Sequence, residues 1–128
     1  MKFKINNRTY EIKEVSQKEL QEEAGKLEGE YFGLTIPKKQ EIWLWKELLI
    51  EQKKITLYHE LFHCYTLNYL TFNDLELKED DYADISANSH DIIHEIVQEY
   101  FKLVIKWMNM LLLMKNKLNI LKIVKHLG

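Results

Sequence analysis

Residues 48–69 read LLIEQKKITLYHELFHCYTLNY. No glycine or proline interrupts this stretch, and Ile55, Leu61, Phe62 and Leu67 recur at mixed helical spacings, so it is predicted as a central helix. Within it stands His59-Glu60-Leu61-Phe62-His63. Side chains four apart on a helix leave from one face with Cβ atoms about 5–6 Å apart, close enough for two imidazoles to grip one tetrahedral ion. Glu60 need not bind the ion itself. Beside His59 it is placed to take a proton from an attacking water and pass it to a leaving amine, the role a glutamate has in this pattern. The bland alternative is a chance meeting of two histidines and a glutamate, and the surrounding elements weigh against it.

Upstream, residues from Phe3 to Val15 roughly alternate apolar and polar around Asn6-Asn7-Arg8, and asparagine tolerates the left-handed backbone of tight turns. A hairpin is expected there. Ser16 followed by Glu19 has the spacing of a capping box, so a short helix follows and fades near Gly25 and Gly29. Tyr31 to Ile36 and Glu41 to Trp45 are β-branched and aromatic runs separated by Pro37-Lys38-Lys39-Gln40, a second hairpin candidate. This hairpin offers an edge strand, or a strand near Glu41 to Trp45, against which an extended peptide substrate would register.

Downstream, Asn73 to Asp81 carries five carboxylates, and helix-compatible sequence then runs from Tyr82 to about Met114. Strands first and helices after define an α+β class: a small antiparallel sheet from N-terminal hairpins, packed on a helical core, with a long C-terminal helix. The chain reads as one domain, with strands and one short helix over 1–47, the central helix over 48–70, a second core helix over 80–115 and a basic apolar tail over 116–128.

The 128 residues are 46% hydrophobic and 30% charged, a globular balance, with 18 basic and 20 acidic side chains. A net charge of -2 supplies no general basic field for phosphates, so nucleic acid is not an expected partner. Cys64 has no second cysteine to pair with, and the start of the chain is charged where a secretory signal would be apolar. These features read as a reduced, cytoplasmic protein. Leu103 to Met114, interrupted by Lys106 and Asn109, falls short of the roughly 20 residues of a membrane span.

Thr56-Leu57-Tyr58-His59-Glu60-Leu61-Phe62-His63, behind a strand at Glu41-Ile42-Trp43-Leu44 and ahead of an acidic helix start, resembles the ImmA/IrrE-type metallopeptidases, compact gluzincins common on phages and mobile elements. The resemblance runs from about Tyr31 to Tyr100. It implies a Zn2+ cofactor held by His59, His63 and an acidic residue of the next helix, and an aspartate one turn later that steadies the first histidine. Asp80 and Asp84 occupy that spacing, with Asp80 standing where the family has glutamate. Because aspartate is shorter, Glu79, Asp81 and Glu76 remain alternatives as third ligand. Apart from the resemblance, acidic residues here also favour a helix start, through the macrodipole. The implied activity is hydrolysis of a peptide bond in a specific regulatory protein, such as a phage or mobile-element repressor. A rival reading is a non-catalytic, zinc-stabilised interaction module, and a third is a metal-free helical binder.

Four further features need a reading. His90-Asp91-Ile92-Ile93-His94 has the same histidine spacing with a shorter acid, which argues against a second metal pair; each histidine singly reads as a solvated one on a helix surface, with donation to an oxyanion, open to Tyr82 also, as the functional alternative. Cys64 points about 100° from His63 around the helix and reads as a buried small hydrophobe. Trp43 and Trp45 read as packing residues. The tail from Leu103 is apolar around much of its helix and needs cover: a partner, a copy of itself or a membrane surface, of which self-association is the plainest.

Overall fold

The computed structural model describes residues 1–69 and 79–127, and for Tyr69 and residues 79–82 the backbone alone. Two compact units, Met1–Val97 and Gln98–Gly128, are taken in turn.

The first unit begins with β1 (Lys2–Ile5) and β2 (Arg8–Val15), paired antiparallel with Phe3 opposite Tyr10. Asn6 and Asn7 turn the chain with φ of 48° and 63°, the left-handed pair that a two-residue hairpin needs to match the strand twist. Ser16 then caps α1 (Gln17–Ala24): its hydroxyl accepts from the Glu19 amide while the Glu19 carboxylate accepts from the Ser16 amide. Gly25, at φ 72°, ends the helix in the left-handed conformation. β3 (Gly33–Ile36) and β4 (Glu41–Trp45) form the second hairpin.

The sheet order is β1-β2-β4-β3, and β2 pairs with β4 in parallel, Ile12 opposite Ile42. The α+β class stands, but the sheet is mixed where an antiparallel one is expected. The cause is topological. Alternation within a strand gives its inner and outer faces and leaves its neighbour open, and the chain returns through α1 and β3 before β4 docks on β2. β4 is therefore an interior strand, and β3 is the edge.

One sheet face carries Phe3, Ile5, Tyr10, Ile12, Ile42 and Leu44, all buried. Against β1, β3 and β4 packs α2 (Ile50–Tyr69), which buries Leu57, Leu61, Cys64 and Asn68, a stripe at steps of four and three. Asn68 donates to the Tyr10 hydroxyl at 2.9 Å and to the Cys64 carbonyl at 2.7 Å, while Asn6 donates to the Asn68 carbonyl. These bonds fasten the end of α2 to the first hairpin. α3 (Glu79–Leu127) contributes Ile85, Ser89, Ile93, Ile96 and Val97 to the buried set of this unit. The helix does not stop near Met114; the tail is helical to Leu127, since residues 115–127 hold no glycine or proline and are rich in leucine, isoleucine and lysine.

The second unit is the remainder of α3. From Ile105 to Leu127 every side chain is exposed. Among the described residues no helix is long and apolar enough to cross a membrane.

Candidate functional site

Helical spacing brings His59 and His63 onto one face of α2, and their rings converge. The two Nε2 atoms lie 3.0 Å apart, ring centroids 4.7 Å apart and planes at 77°. The contact is a hydrogen bond between the rings, and its length is close to the roughly 3.3 Å that tetrahedral bonds of about 2.0–2.1 Å to a shared ion would set between the two nitrogens. Both imidazoles are exposed, which leaves the ion accessible.

Glu60 points the other way, towards the sheet, and is only 7% exposed. Thr35 of β3 fixes it: the threonine Oγ1 lies 2.6 Å from Glu60 Oε2 and 3.0 Å from the Glu60 carbonyl oxygen. Thr35 sits opposite Ile42 in register, and Gly33 opposite Leu44, so both belong to the face that α2 covers. A Cβ on Gly33 would stand 2.8 Å from Thr56 Cγ2, 2.9 Å from the Trp43 carbonyl oxygen and 3.3 Å from Glu60 Cγ. The bare glycine is what lets β3 lie this close to Glu60.

Clefts open on both sides of these residues. One of about 300 Å³ is lined by Phe32, Gly33, Thr56, His59 and Glu60, and another of about 370 Å³ by Leu34, Thr35, Glu60, His63 and Thr66. Together they run along the edge strand β3, where an extended chain would find unpaired backbone groups. The strand near Glu41 to Trp45, read as a candidate for substrate registration, is instead enclosed between β2 and β3. A third cleft, about 310 Å³, lies between α2 and α3, with Tyr58, His59, Phe62, Ser86, Ser89 and His90 in its walls.

His90 and His94 share the spacing of His59 and His63 without their geometry. Their rings lie parallel, 6° apart in plane and 5.8 Å between centroids, and His94 Nδ1 is hydrogen-bonded to the Tyr58 hydroxyl at 2.7 Å. The Tyr58 contact holds His94 turned aside. His90 nevertheless reaches the cleft that His59 also lines.

The proposed third ligand Asp80 and its alternatives Glu79 and Asp81 stand on the first turn of α3, and their side chains lie outside the described residues, as do Tyr82's side chain and Glu76 altogether. Asp84 is exposed and makes no hydrogen bond to His59. Among the described residues no group of three histidine, cysteine or acidic side chains gathers around one point. The donor set in view is thus two imidazoles, which suits zinc and accounts for half of a four-coordinate shell.

Cys64 is fully buried, and burial pushes its thiol up to about 12, so it is the packed small residue that its place on the helix implies. Trp43 lies on the face away from α2, under the Lys39 ammonium at 4.9 Å from the ring centroid, and Trp45 stacks on Phe32. Sequence reasoning missed Thr35 and Gly33. Neither carries a local signal, because their importance arises only where β3 crosses α2.

Comparison of the chain with protein-family models, curated proteins and solved structures finds no match.

Proposed function

We propose that this chain is a cytoplasmic zinc-dependent endopeptidase, similar to the ImmA/IrrE-type metallopeptidases, that cleaves a specific regulatory protein such as a phage or mobile-element repressor. One observation carries the reading: two imidazole nitrogens converge to 3.0 Å, and each histidine lines, with the Glu60 that Thr35 holds, a cleft along an open sheet edge. His59 and His63 would hold the ion, with Asp80 as third ligand and Asp84 turned to His59. When bound, zinc supplies Lewis acidity, which brings the pKa of a coordinated water towards about 7 and polarises a carbonyl.

The chain's own residues do the rest. The β3 edge pairs with the substrate backbone and sets its register over α2. Glu60 accepts the proton of the attacking water and delivers it to the departing amine, so that the bond breaks without releasing an amide anion. Thr35 keeps Oε2 of that carboxylate in one rotamer, which shortens the search for the reacting geometry.

The test pairs the wild-type protein with Glu60→Gln and measures bound zinc by elemental analysis alongside cleavage of candidate host and phage regulators. Equal zinc in both proteins, with cleavage in the wild type alone, is the expected result. Undiminished cleavage by the variant, or a wild-type protein that takes up no zinc, would overturn the reading.

A further inference from the structure

The second unit is a helix without cover. Trp107, Leu112, Leu113 and Met114 are each about 60% exposed, and the apolar side chains continue to Leu127. From Leu103 to Leu127 its charge is of one sign: Lys106, Lys115, Lys117, Lys122 and Lys125 lie beyond Glu99, the last of the chain's 20 acidic residues. Whatever covers this helix must bring both apolar volume and negative charge.

We propose that the segment Leu103–Leu127 docks on an anionic lipid surface, lying in the headgroup region of a membrane. The angular distribution of its side chains selects this occupant. At 100° per residue, Lys102, Lys106 and Asn109 fall within an arc of roughly 60°, and nearly all of the remaining circumference from Leu103 to Met114 is apolar. At the boundary between headgroups and acyl chains such a helix buries its apolar sides and turns the narrow Lys102, Lys106 and Asn109 arc to the headgroups, while the one-signed charge matches an anionic surface. Beyond Met114 the polar side chains are mostly lysines, long enough to bury their methylenes and still reach lipid phosphates and carboxylates.

Self-pairing fits less well. Val104, Trp107, Leu111, Met114, Leu118 and Leu121 alternate in steps of three and four, the spacing of a coiled-coil seam. The flanks of that seam carry Lys115, Lys117 and Lys122, so tail-to-tail pairing sets lysine against lysine with no carboxylate in reach. Spanning is also excluded, because the helix lacks the length of uncharged apolar sequence that a crossing requires.

The test is cosedimentation of the full chain with phosphatidylcholine vesicles and with vesicles that also contain phosphatidylserine, alongside a Lys115→Glu, Lys117→Glu, Lys122→Glu variant. All three positions are exposed, and circular dichroism verifies that helix content is kept. The wild type should sediment with the phosphatidylserine vesicles and release in high salt. Each lysine near an anionic surface is worth about fivefold in partitioning, so loss of three weakens binding roughly a hundredfold and their reversal to glutamate weakens it further. A blue shift of fluorescence on binding, absent from Trp107→Phe, would place the helix itself in the lipid. Failure of the wild type to sediment, whether the protein is then a monomer or self-associated, overturns the proposal. So does undiminished binding of the triple variant. Glu60→Gln should bind vesicles like the wild type, which separates this proposal from the one on peptide hydrolysis.

Discussion

Thr35 holds the Glu60 carboxylate at 2.6 Å, and the hydroxyl is the one part of that side chain the proposed mechanism uses. Thr35→Val keeps the β-branch and shape while removing the donor. A hydrogen bond to a charged group contributes about 1.5–3 kcal/mol, so kcat should fall roughly tenfold to a hundredfold with bound zinc unchanged. Equal loss of zinc and of turnover would instead mark Thr35 as a support of the whole helix face. Gly33→Ala acts on the same junction through volume. The added methyl meets Thr56 Cγ2 at 2.8 Å and a backbone oxygen at 2.9 Å, and the latter cannot rotate away. A loss of about 1–3 kcal/mol in urea unfolding is expected, as for other overpacked contacts. An unchanged midpoint would mean that β3 stands further from α2 than these distances say.

At the scale of the element, α1 offers the sharpest forecast. In its capping box the Ser16 amide and hydroxyl both donate to the Glu19 carboxylate, and those bonds, the amide's first, hold the Glu19 carboxyl below its ordinary value of 4.5. A carboxylate whose pKa is lower in the folded protein than in the unfolded chain stabilises the fold at pH above the unfolded value. That contribution fades as pH falls through the folded one. Ser16→Ala removes the cap hydroxyl, a loss of about 1 kcal/mol for such caps, and the part of the difference from wild type that came from the hydroxyl's bond to Glu19 should vanish in acid below pH 4.5. Chemical unfolding at several pH values measures both. A mutant penalty as large in acid as at neutral pH would show that the hydroxyl's bond to the Glu19 carboxylate adds nothing. α2 teaches the complementary lesson: its two ends are tied by different chemistry, Lys53 to Glu14 near the start and Asn68 to Tyr10 near the end, so the histidine face between them is held in one rotational setting over the sheet.

At the scale of the molecule, the proposed zinc binding would be linked to folding of the first unit, because the imidazoles meet only when α2 is formed. A ligand that binds the folded form alone, at a hundred times its dissociation constant, adds about 2.7 kcal/mol of stability. Thermal unfolding of metal-free protein should shift upward with zinc, show no shift with magnesium, and lose the zinc response in His59→Ala. A zinc-independent midpoint in the wild type would remove the metal from the account. The sheet, α2 and the start of α3 close a core in which Ile42, Leu44, Leu57 and Leu61 are fully buried.

The local sequence determined what local geometry can determine. The Asn6-Asn7 turn, the Ser16/Glu19 cap, the breaker-free run of α2 and the placing of His59 and His63 on one face all depend on residues within one or two turns of each other. Even there the spacing set only an opportunity. His90 and His94 have it too, yet Tyr58 from another helix turns His94 aside, and only the first pair converges. Parallel pairing of β2 with β4, the edge position of β3 and the bond from Thr35 to Glu60 were decided by tertiary structure alone. Each joins residues far apart in the chain, where propensity is silent and the choice falls to whichever packing buries the most apolar surface without leaving a polar group unpaired.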